Sequence, residues 1–103
     1  MADTLTDKVR RKLDITWDDE VTTSRIADIM ENATITIRHK IGLPSTYDFE
    51  TVGQEQNFFL AYCLYAWNHA EDEFDVNYHN DLLQLRQKWA IEFLKNESGG
   101  DDA

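Results

Sequence analysis

FFLAYCLYAW, residues 58–67, sets ten apolar side chains in a row within a chain of 103 residues that carries twenty acids and ten bases. An element apolar on every side has three possible homes: a membrane, the middle of a core, or a position shared between its own core and a neighbouring subunit. The membrane fails on length, because ten helical residues rise about 15 Å against about 30 Å of hydrocarbon. On a helix, Phe58, Tyr62, Tyr65 and His69 make one stripe and Phe59, Cys63, Ala66, Trp67 and Ala70 another, so two faces roughly 100° or more apart are apolar. A bundle of four short helices buries one broad face of its central helix and struggles to cover two. Either the helix is fully buried, or Tyr62, Tyr65 or Trp67 faces another subunit, since aromatic residues are enriched in interfaces.

Upstream, Leu5, Val9 and Leu13 recur every four residues, placing them on one face of a short helix with the bases on the other. Thr16 followed by Asp18, Asp19 and Glu20 reads as an N-cap with acids in the first turn, so a second helix starts near Asp18. Its apolar stripe is Val21, Ile26, Ile29, Met30, Ala33, Ile37 and Ile41. The ATITI at 33–37 alternates like a strand, but five residues without a partner hairpin weigh less than a stripe sustained over twenty. Gly42 and Pro44 stop the helix, and Leu43–Gly53 forms a loop with Ser45, Thr46, Tyr47 and Asp48 outward. Thr51 and Gln54 form a T-x-x-Q capping box for a third helix running from about Gly53 to Glu73.

Downstream, the charge and amide density over Asp75–Asn80 predicts a kink or tight turn. A fourth helix follows, with Leu82, Leu85, Trp89 and Phe93 on one face and Leu83, Ala90 and Leu94 beside it. The expected architecture is an all-α bundle of about four helices, the aromatic-rich third central and the C-terminal one amphipathic. Residues 1–96 make one helical domain and 97–103 a flexible acidic tail.

Composition narrows the function. Hydrophobic residues are 42% and aromatics 12% of the chain, enough to fold. The formal charge of −10 is the opposite of what phosphate-gripping proteins need. Four of the ten bases, Lys8, Arg10, Arg11 and Lys12, fall within five residues. They are a solvated helix face near a favourable C-terminal dipole, or a docking patch for an acidic partner. The N-terminal segment lacks an apolar secretory core, and the single cysteine, Cys63, has no intramolecular disulfide partner; both suit a reducing cytoplasm.

No constellation points to catalysis. His69, Asp72, Glu73, Asp75, His79 and Asp81 crowd one stretch, and helical spacing would bring His69 to Glu73, or Asp75 to His79, at i, i+4. They match neither H-E-x-x-H, nor a duplicated Glu-x-x-His, nor a calcium loop with its turn glycine. Cys63 lies in the apolar run, where a thiol has a raised pKa and no access. Ser24, Ser45 and Ser98 stand in no nucleophile motif, and glycines 42, 53, 99 and 100 form no phosphate loop. The expectation is a protein that is not an enzyme, with no catalytic residue, metal or cofactor.

The order DITWDDE (14–20), a helix ending RHKIGLP (38–44), and FFLAYCLYAWNHAEDEFDVNYHNDLLQLRQKWAIEFL (58–94) resembles the small head–tail connector proteins of tailed bacteriophages, also called head-completion or adaptor proteins. The match spans about residues 5–95 and is most telling from Tyr62, Tyr65, Ala66 and Asn68 into EDEFDVNYHNDLL. It implies a helical protein that self-associates into a ring beneath the portal protein of a DNA-filled head and extends the exit channel toward a tail or stopper protein. Genomic DNA then passes through without specific binding, no membrane is involved, and the protein is made in the host cytoplasm and resides in the virion. The resemblance carries over no catalytic residue, and neither the basic cluster nor the acidic tail has a motif position in it. Two other classes fit the composition: an acidic helical regulator that binds a basic partner or mimics DNA, and a metal-dependent hydrolase built on the His and acid cluster.

Overall fold

The computed structural model describes residues 4–95, with the last helix carried on in its bounds to Asp102; the acidic tail expected at 97–103 lies outside the described residues. Among the described residues five helices form: α1 (Leu5–Lys12), α2 (Glu20–Ile41), α3 (Gln54–Trp67), α4 (Glu71–Asn77) and α5 (His79–Asp102). The start of α1 is a capping box that the sequence reading passed over. Thr4 Oγ1 accepts the Asp7 N–H at 3.1 Å, and Asp7 Oδ2 accepts the Thr4 N–H at 3.2 Å. The cap of α2 is Asp19, not Thr16; its carboxylate accepts the Thr22 N–H at 2.9 Å. Hydrogen bonds from the Thr22 side chain and backbone hold that carboxyl below its ordinary pKa.

Three helices end in one way. A residue just past the last turn takes left-handed backbone: Asp14 at φ 60°, Gly42 at φ 85° and His69 at φ 58°. The next N–H then reaches back to a carbonyl five residues earlier, Ile15 to Arg10 at 2.9 Å, Leu43 to Arg38 at 2.9 Å and Ala70 to Tyr65 at 2.8 Å. Ile15 and Leu43 are thereby turned into the core. Gly42 adopts this geometry freely, whereas a residue with a Cβ accepts roughly 1–2 kcal/mol of strain there.

The third such ending is the main departure from the sequence reading. α3 stops at Trp67, six residues short of the expected Glu73, and the chain turns at 68–70 before α4 begins. The bend expected within 75–80 is present at Tyr78, between α4 and α5. What looked like one long helix is therefore two, and the second folds back over the first.

That fold-back answers the question of the apolar segment. α3 lies in the middle with α1, α2 and α4 packed against it. Phe58 is 4% and Phe59 0% exposed, and Cys63 is fully enclosed. The Phe58–Tyr62–Tyr65 stripe is covered by Phe74 of α4, whose ring meets these three edge-on at 4.9, 5.1 and 5.6 Å and stacks on Tyr78 at 4.8 Å. The Phe59 side is covered by the loop before α3, where Phe49, completely buried, stacks on Phe59 at 4.8 Å. Phe49 takes φ 61°, so the loop accepts backbone strain to place that ring.

Residues 33–37 are helical as expected, with Ala33 and Ile37 buried. Other expectations are corrected: Val21 is exposed and leaves the α2 stripe. The Thr51–Gln54 capping box does not form: Gly53 caps α3 without a side-chain bond. Tyr47 is half-buried, edge-on to both Phe49 and Trp89. Among the described residues no helix is long and apolar enough to cross a membrane.

Candidate functional site

The basic cluster divides by position along α1. Lys8, half-buried, donates from Nζ to Gln56 Oε1 at 3.4 Å. Gln56 is itself buried and donates to the Phe49 carbonyl at 3.0 Å, so Lys8 completes a chain of bonds that ties α1 to α3 and to the loop. Arg10 binds the Trp17 carbonyl and lies 3.8 Å from Asp18, fastening the linker between α1 and α2. Arg11 and Lys12 stand exposed on the outer turn of α1. Lys8 and Arg10 thus bond to other parts of the fold, and Arg11 and Lys12 are the more exposed members of the cluster.

Tyr62, Tyr65 and Trp67 are all half-buried by contacts within the chain. Burial raises the Tyr62 hydroxyl above its ordinary pKa. The Tyr65 hydroxyl accepts from Asn77 Nδ2 at 3.0 Å, tying α3 to the end of α4. Trp67 lies beneath the Arg25 guanidinium, 4.0 Å from the ring centroid, and its carbonyl accepts from Arg25 Nη2 at 2.6 Å. A cation at the C-terminus of a helix, with two bonded functions, is well placed to close α3 where it ends.

The His and acid stretch does not assemble as helical spacing suggested. His69 sits in the turn ahead of α4 and meets Arg25 Nη2 at 3.2 Å, so it shares no helix with Glu73. Asp75 belongs to α4 and His79 to α5, on opposite sides of the Tyr78 junction, and Asp75 pairs with Lys40 at 2.8 Å. Among the described residues no group of three His, Cys, Asp or Glu side chains is arranged to hold a metal ion. Burial pushes the Cys63 thiol up to about 12, which keeps it protonated at neutral pH.

One buried charge was not foreseen. Glu55, 6% exposed, accepts from Lys88 Nζ at 2.6 Å and from Trp89 Nε1 at 2.9 Å. Burial alone would raise its pKa, but the bonds from Lys88 and Trp89 outweigh it and leave the carboxyl below its ordinary value. This clasp joins the start of α3 to the middle of α5.

Past the clasp, α5 leaves the bundle. Leu85 is fully buried and Leu82 and Trp89 are partly covered, but every residue from Ala90 to Lys95 is exposed. Ile91, Phe93 and Leu94 are 58%, 68% and 63% exposed, although helical spacing had set Phe93 and Leu94 on or beside a covered face. A groove of 310 Å³ opens between α1, α3 and the first turn of α5, lined by Phe58, Leu60, Ala61 and Tyr78 and by the polar Lys12, Gln54, Asn57 and Asp81. Two surfaces stand out among the described residues, the exposed apolar side chains at 91–94 of α5 and this groove of mixed apolar and polar lining. Comparison with protein families, curated proteins and solved structures finds no match.

Proposed function

We propose that this chain is a structural adaptor that assembles into a ring between a phage portal and the tail and extends the DNA channel as the head is completed. The observation that carries this reading is the stretch 91–94 of α5, where three large apolar side chains stand exposed in a chain otherwise rich in charge. A monomer that exposes such a group in one place is built to bury it against another protein. The sequence order that resembles head–tail connectors supplies the kind of assembly. The charge of −10 supplies the channel property, since acids repel a phosphate backbone and let DNA pass without adhering.

The mechanism is one of geometry and electrostatics. α3, enclosed by α1, α2, α4 and the Phe49 loop, makes a rigid centre, while α5 and the exposed Lys12 of α1 are available for contacts with subunits, portal and tail. The test sets duplex DNA against a cognate portal as ligands of the purified chain. Weak DNA binding even at low salt, together with a stable complex with the portal, is the expected result. Submicromolar DNA binding near physiological salt would instead make the chain a DNA-binding regulator.

A further inference from the structure

We draw no further inference here: the strongest candidate, the exposed apolar side chains of Ile91, Phe93 and Leu94 on α5 beside the cleft lined by Ile41, Gly42 and Trp89, belongs to the surface already described, and nothing in the structure shows what covers it.

Discussion

Replacing Phe74 with alanine tests whether α4 is what makes the apolar α3 tolerable. The ring is 1% exposed and meets Phe58, Tyr62, Tyr65 and Tyr78 at centroid distances of 4.8 to 5.6 Å. Cutting a buried phenylalanine to alanine costs about 3–5 kcal/mol. The upper part of that range applies, because each aromatic pair adds about 0.5–1.5 kcal/mol beyond its area, though the four are not additive. A domain of this size has only about 5–15 kcal/mol in total, so the variant should be barely folded. Phe74→Leu, which keeps an apolar side chain and loses the ring, should cost about 1–2 kcal/mol. Urea unfolding reads both: with a slope near 2 kcal/mol per molar, a 4 kcal/mol loss moves the midpoint by about 2 M. Amide exchange over 71–77 should rise sharply in Phe74→Leu before the rest of the chain opens. A loss below about 1 kcal/mol for Phe74→Ala, with unchanged protection of α4, would refute the claim that α4 covers α3.

Glu55→Gln should cost about 1–3 kcal/mol at pH 7, because the buried clasp to Lys88 and Trp89 is left with a neutral acceptor. Since the folded carboxyl lies below its ordinary value of 4.5, its contribution is complete above that pH and is lost as pH falls through the folded value. The gap between wild type and variant in urea titrations should close in acid, and a gap constant down to pH 3 would contradict the assignment. Arg25→Met removes both the cation over Trp67 and the donor to its carbonyl, and should lower stability by about 1–2 kcal/mol in thermal melts; an unchanged melt would show that α3 is closed without it. Reversing the exposed Lys12, as Lys12→Glu, should move stability by no more than about 0.5 kcal/mol and weaken portal binding while DNA affinity stays low, whereas Lys8→Glu should destabilise through Gln56.

The parts of the fold that follow from local rules were legible in the sequence. The α2 stripe through Ile26, Ala33, Ile37 and Ile41, the stop at Gly42 and the amphipathic first helix all rest on periodicity and on a glycine. The break at 68–70 was hidden because the residue in left-handed backbone is His69, and only Asn68 beside it hints at a turn. Missing that break merged α3 with α4 and left the Tyr62–Tyr65 stripe without its cover, which is why an intersubunit role suggested itself for those rings. Phe49 was overlooked for a similar reason: a loop rich in polar residues gave no cue that one aromatic would be driven into the core at strained φ. Of the candidate surfaces, the basic patch was visible as composition, but the engagement of Lys8 and Arg10 within the fold depends on Gln56 and on the 13–19 linker. The exposure of residues 91–94 of α5 was invisible to periodicity, which marks an apolar face without saying where its covering neighbour stops.

Native mass spectrometry of the chain with its cognate portal, supported by end-on electron-microscope averages, tests the adaptor account most directly. The account calls for one closed stoichiometry of many copies on the portal, with an open centre, and for the loss of that species in Phe93→Glu. A chain that stays monomeric at every concentration and leaves the mass of the portal unchanged would contradict it.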